Sequence, residues 1–225
     1  MLLVEPARKA GLDTAISAAL APWRKPRAVH DPGKVLLDLA LAVALGGDCL
    51  SDVAMLRSEP ALFGPGASDP TVSRLVGALA GAGSRALAAI RGARAEVREH
   101  VWKLAQADAP DAERQVTVDI DGVLVLAHSE KQDATATWKR TFGHHPLVAF
   151  VDHELAGCGE PVAGLLRPGN AGSNTAADHI TTTRAALAQL PKQYRRGRRT
   201  LIRTDSAGGT YGLPHGAGGC PTRSG

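Results

Sequence analysis

The chain has 225 residues, of which 44% are hydrophobic, 21% charged and 4% aromatic, with a net charge of +4. That length suits one large domain or two small ones, and the apolar share excludes a disordered chain. Twenty-five glycines without a fixed period exclude a collagen-like repeat, and three scattered cysteines form no CxxC pair, which argues against a disulfide scaffold and a zinc finger.

In chain order, the first half reads as helical. A short helix is expected over 13–21, capped by Asp13 or Thr14, and Asp31-Pro32 reads as a cap with proline in the first turn. The apolar run Val35–Leu45 is too short to span a bilayer and contains Asp38. With no signal-peptide pattern at the N-terminus, the reading is cytoplasmic. Ser51 caps a short helix to Arg57, and 60–66 reads as a loop. Ser68-Asp69-Pro70 opens a helix to about Ala80. The strongest helix is 84–107, where Leu87, Ile90, Val97, Val101 and Leu104 form one apolar stripe.

A polar stretch with Pro110 then marks a domain boundary. Beyond it, 116–127 (VTVDIDGVLVLA) reads as one buried strand, and 145–151, 161–166 and 199–204 as further strands. Residues 174–190 read as a helix capped by Ser173 or Asn174, with Ala176, Ala177, Ile180, Ala185, Leu187 and Leu190 available for burial. Helices followed by strands with one crossing helix imply a helical domain (1–110) and then an α/β domain (115–210). The tail 211–225 is glycine-rich, irregular, and in keeping with a shifted reading frame.

Asp119 and Asp121 flank one isoleucine and share a strand face. Charges in an apolar strand are costly, so such a strand ends at a site or pairs its carboxylates with an arginine. Strand-DxDG resembles the first motif of haloacid-dehalogenase-like phosphatases, with Asp119 as nucleophile and Asp121 as acid/base. Alternatively, Asp121 and Asp205, at the ends of two strands, suit the two-metal carboxylate site of a ribonuclease-H-like strand-transfer enzyme. Hard oxygen ligands suit magnesium or manganese.

Residues 128–131 (HSEK), 138–152 (WKRTFGHHPLVAFVD), 165–179 (LLRPGNAGSNTAADH) and 203–209 (RTDSAGG) together resemble DDE transposases of bacterial insertion sequences, specifically the insertion sequence 1380 family. HDPGK at 30–34 and SDPTVSR at 68–74 extend the resemblance over most of 25–210. It implies cleavage and transfer of DNA strands, with Asp121 and Asp205 catalytic and metal-ligating and Asp119 the second choice for the first acid. It also implies a two-metal Mg2+ or Mn2+ site, element ends and target DNA as partners, and possible homo-oligomers. That family's third acid is a glutamate on a downstream helix. No Asp or Glu follows Asp205 here, so the expectation is a truncated copy, inactive as it stands or reduced to DNA binding.

The basic run Lys192, Arg195, Arg196, Arg198, Arg199 and Arg203 precedes Asp205 and reads as a surface for DNA phosphates or as a solvated loop. Lys131, Lys139 and Arg140 follow the first strand and can reach a DNA backbone. Residues 68–80 could serve as a recognition helix with Thr71, Ser73 and Arg74 outward, although an ordinary bundle helix is the stronger reading. His144 and His145 read as structural or DNA-contacting, since neighbours on a strand point to opposite faces. The turn 169–172 reads as a tight loop.

Overall fold

The computed structural model describes residues 3–110, 115–127, 130–153, 158–172 and 175–204. The chain forms two compact units, Met1–Val101 and Trp102–Gly225.

The first unit is helical: α1 Val4–Lys9, α2 Leu12–Leu20, α3 Pro32–Ala44, α4 Ala54–Arg57, α5 Pro60–Phe63, α6 Asp69–Ala82 and most of α7, Ser84–Ala105. The α3 start is as its sequence demands. The Asp31 side chain accepts the Lys34 N–H at 3.0 Å, and Pro32 fills the first turn. Gly33 is required where α3 crosses α2, because a Cβ there would stand 2.5 Å from the Ser17 backbone. Val35, Ala42, Val53, Leu56, Ala67 and Val72 form one core cluster, and Ile16, Leu20 and Ala93 another.

Three local expectations change. The α2 cap is Gly11 in the left-handed conformation, not Asp13 or Thr14, so the helix begins one residue earlier. Part of the expected loop at 60–66 is the single turn α5. Along α7, Leu87, Val101 and Leu104 are exposed, while Ala86, Ala93, Ala95, Arg98 and Trp102 are buried. Small alanines let neighbouring backbone come close, so packing selects a different stripe from the one that hydropathy suggests.

Among the described residues, seven strands form two sheets in the second unit: β1 Val116–Gly122, β2 Val125–Leu126, β3 Thr135–Ala136, β4 Phe142–His144, β5 Leu147–His153, β6 Cys158–Leu165 and β7 Thr200–Thr204. The main sheet has the order β6-β5-β1-β7, antiparallel except that β7 runs parallel to β1. Helix α8, Ala176–Gln189, makes the crossover between β6 and β7. Three antiparallel strands, a helix and a parallel fourth strand beside the first make this a ribonuclease-H-like fold behind an N-terminal helical part, as expected.

One sheet face is the core, with Val116, Val118, Ile120, Leu147, Ala149, Val151 and Val162 packed with Ala186, Leu190 and Trp102. The units divide inside α7 because Trp102 packs with this core and donates to the Glu160 carboxylate at 3.1 Å. The expected strand 116–127 is two strands. It breaks after Gly122, where the Val123 N–H turns to the Pro146 carbonyl, and β2 joins the small sheet β2-β4-β3. Helix α8 starts at Ala176 behind Thr175, and the proposed caps Ser173 and Asn174 lie outside the described residues. Its buried side chains are His179, Thr182, Ala186 and Gln189, one stripe at helical spacing, whereas Ala177 is exposed. Among the described residues no helix is long and apolar enough to cross a membrane.

Asp38 is 2% exposed inside α3 and is held by Lys34 at 2.6 Å, one turn away. Burial is the larger influence and pushes its carboxyl above the ordinary 3.8, against the pull of Lys34 and His30. A raised folded pKa favours the folded state fully below the unfolded pKa, and that contribution is lost as pH rises through the folded value. Lys34→Met removes the opposing charge and raises the folded value further. Urea unfolding should show a loss of about 2 kcal/mol at neutral pH, below the about 3–5 kcal/mol of a fully buried pair because Lys34 is one-third exposed. The loss should shrink as pH falls through the raised folded value of Asp38, which lies above the ordinary 3.8.

Candidate active site at the end of the central strand

Strand β1 alternates strictly. Val116, Val118 and Ile120 point into the core, so Thr117, Asp119 and Asp121 share the other face. The two aspartates have different fates. Both Asp119 oxygens are taken by Arg203 of β7, with Nε at 2.6 Å and Nη2 at 2.7 Å, and Arg203 also reaches Asp152 of β5 at 2.5 Å. The parallel register sets Arg203 directly beside Asp119, so its guanidinium spans three strands. Hydrogen bonding to Asp119, followed by Asp152, holds Arg203 protonated well above its ordinary range.

Asp121, two residues on, is exposed at the strand end. Its Oδ1 accepts the Gly122 N–H at 2.7 Å, and among the described residues no cation pairs with it. It lines a cavity of about 510 Å3 together with Trp138, His145, Arg167, the turn Gly169–Gly172 and His179.

His145 is the best-fixed group there. Its Nδ1 stands 3.1 Å from the Ala171 carbonyl. A carbonyl can only accept, so Nδ1–H donates to it. Nε2 faces Gly122, where a Cβ would lie 2.8 Å from it. The backbone of His145 is clasped from both sides, since its N–H donates to the Arg167 carbonyl at 3.1 Å and its carbonyl accepts Arg167 Nε at 2.9 Å. Arg167, 4% exposed, also reaches the Gly172 carbonyl at 3.1 Å and Asp178 at 3.3 Å. His144 points elsewhere and anchors the small sheet through the Gln132 carbonyl at 3.0 Å. The sequence signal for His145 was the pair His144-His145 on a strand, but which one faces the acid was not legible. Arg167 carried no signal of its own.

The basic residues divide between two places. Lys131, Lys139 and Arg140 are exposed on the small sheet and its turns. Lys192, Arg196, Arg198 and Arg199 are also exposed but precede β7, and the Val116 N–H bonds the Arg199 carbonyl. That is the start of β1, about 17 Å along the strand from Asp121. Arg195 is half-buried on the Leu190 carbonyl, and Arg203 belongs to the Asp119 cluster. Asp205 lies outside the described residues; β7 ends at Thr204, level with Ile120.

Among the described residues the ligand atoms of one trio, Asp48, Cys49 and Asp52, converge within 4.8 Å. Hydrogen bonds account for it, since the Asp52 carboxylate accepts the Cys49 and Asp48 N–H groups, and the Cys49 bonds hold that carboxyl below its ordinary value.

A family model described as transposase DDE domain group 1 matches residues 1–214. The chain belongs to that family. No curated protein and no solved structure matches it. The free carboxylate at the end of the central strand thus lies in a transposase DDE domain, and the family requires divalent metal and acts on DNA. Asp121 fits such an ion, with a hard oxygen donor opening onto a cavity. Asp119, with both oxygens on Arg203, does not.

Arg203→Met leaves Asp119 and Asp152 facing each other uncompensated. It should cost about 1 kcal/mol in urea unfolding, since the guanidinium is half exposed, and the cost should fall in high salt. Gly122→Ala forces the buried His145 ring aside. The His145 imidazole NMR signals should shift and stability should drop by about 1–3 kcal/mol, while Gly164→Ala, where a Cβ meets open space, should move neither.

Proposed function

We propose that this chain is of the type that cleaves and transfers DNA strands for an insertion sequence, as in the insertion sequence 1380 family, with Asp121 as first metal-binding acid and Asp205 as second, and that with no Asp or Glu after Asp205 its own residues hold metal and DNA but do not complete the cleaving site. The observation that carries this reading is Asp121 itself: an exposed carboxylate without a cation among the described residues, at the C-terminal end of the central strand of a ribonuclease-H-like sheet. Its neighbour Asp119 holds the sheet to Arg203 and is not available for the same work.

Mg2+ or Mn2+, when bound, would activate the attacking oxygen and stabilise the leaving oxygen at a phosphodiester. This chain's own groups then have definite tasks. The Gly122 N–H fixes one oxygen of Asp121 and leaves the other open to the cavity. His145 lines the same cavity, with Nε2 against Gly122. Lys131, Lys139 and Arg140 supply positive charge near this strand end, and the run from Lys192 to Arg199 supplies it at the other, so one duplex along the sheet could meet both. A second copy of the chain would bring the two ends of an element together.

The test uses the whole chain with element-end DNA and Mg2+ or Mn2+. Metal-dependent DNA binding without cleavage is expected, weakened in Asp121→Ala and unaffected in Asp48→Ala; cleavage that Asp121→Ala removes would show that these residues suffice. DNA binding without cleavage, equal in wild type and Asp121→Ala, would mark a binding remnant and overturn the metal-binding assignment.

A further inference from the structure

We infer that Trp138 is a stacking platform for an unpaired base of nucleic acid held at the Asp121 cavity. This rests on the DNA reading and adds the part of the nucleotide that is recognised there.

Three observations converge. First, Trp138 is 70% exposed, whereas Trp102 is buried and Trp23 half-buried. An indole left in water forgoes a large burial gain, yet this one lines the same cavity as Asp121. Second, it is held rigidly. The turn between β3 and β4 closes through Thr137 N–H to the Thr141 carbonyl at 2.8 Å, a 2.6 Å bond between the two threonine hydroxyls, and Arg140 N–H to the Thr137 carbonyl at 3.1 Å. Arg140 takes φ +60°, the conformation that reverses the chain at this tip. The small sheet is pinned to the site by Asn170 N–H on the Thr135 hydroxyl and by close approach of Gly169 to Thr135 and Gly143. Third, a cation lies over the ring. Lys139 Nζ lies 4.9 Å from its centroid, and Arg140 and Lys131 are exposed nearby in sequence.

An exposed aromatic face beside flexible cations is the arrangement that binds single-stranded nucleic acid, bases on the ring and phosphates on the cations. Stacking needs a base whose face is free, so a paired duplex base does not satisfy it. A base on Trp138 would place its own or the neighbouring phosphate toward the mouth of the Asp121 cavity. A platform on a rigid turn loses little entropy on binding, which suits a contact made at a reacting nucleotide.

The test is fluorescence anisotropy of a labelled single-stranded oligonucleotide with the full chain, without metal, alongside the same length of abasic backbone. Trp138→Ala should weaken binding of the base-bearing strand about tenfold or more, and Trp138→Phe less than about threefold. Thermal melting should be unchanged in both, because the side chain is exposed. The slope of affinity against salt should also be unchanged, since phosphate contacts persist. On the abasic strand wild type and Trp138→Ala should bind alike. Equal affinity of wild type and Trp138→Ala for the base-bearing strand overturns the stacking assignment and leaves the DNA reading intact. No binding of any strand by wild type overturns both. Self-association lost in Trp138→Ala, without change in DNA affinity, would assign the indole to a second copy instead.

Discussion

Everything in the second unit depends on β1 being paired on both edges. Strand β5 holds one edge antiparallel and β7 the other in parallel, so β1 cannot slip or twist free. A one-residue slip would carry Val116, Val118 and Ile120 out of the core and Asp119 and Asp121 into it, which the cost of burying two carboxylates forbids. The register that buries the valines therefore also fixes where the acids stand. Each acid then meets what its level of the sheet offers: Arg203 at the level of Asp119, and an open strand end at Asp121.

The cluster of Asp119, Arg203 and Asp152 and the clasp around Arg167 divide the work of holding this site. The cluster ties β5, β1 and β7 together on the face away from the core. The Arg167 clasp ties the corner before β5 to the turn 169–172 and the first turn of α8. Both are built from charge-assisted hydrogen bonds of good geometry, which fix direction as well as distance. Between them the Asp121 carboxylate and the His145 ring share one cavity, and Gly122 is small because the ring lies against it. The small sheet adds a third fixed group, the indole of Trp138, to the rim.

Much of this was legible in residues alone. Val116–Gly122 announced itself by alternation, His145–Val151 and Arg199–Thr204 by β-branched runs, and α3 by Asp31-Pro32. Failures have a common cause. The α7 stripe was read from large aliphatics, but alanine faces packed and Leu87 and Leu104 did not. In α8 the same reading placed Leu187 and Leu190 against the core correctly but also favoured Ala177, which is exposed, and passed over Thr182 and Gln189, which went inward. Side-chain hydropathy ranks what gains by burial; close packing decides which face a neighbour can actually reach. The strand at 116–127 was drawn too long because a β-branched run carries no mark of where its partner strand ends.

The sequence by itself determined the order of elements, the parity of β1 and hence the shared face of Asp119 and Asp121. These are local properties, set by backbone periodicity and turn chemistry. Tertiary structure decided which of the two acids is free, which histidine of the pair faces it, and which cations lie near it. Those outcomes depend on partners far along the chain, Arg203 for Asp119 and Arg167 and Ala171 for His145, and a residue's own neighbours carry no record of them.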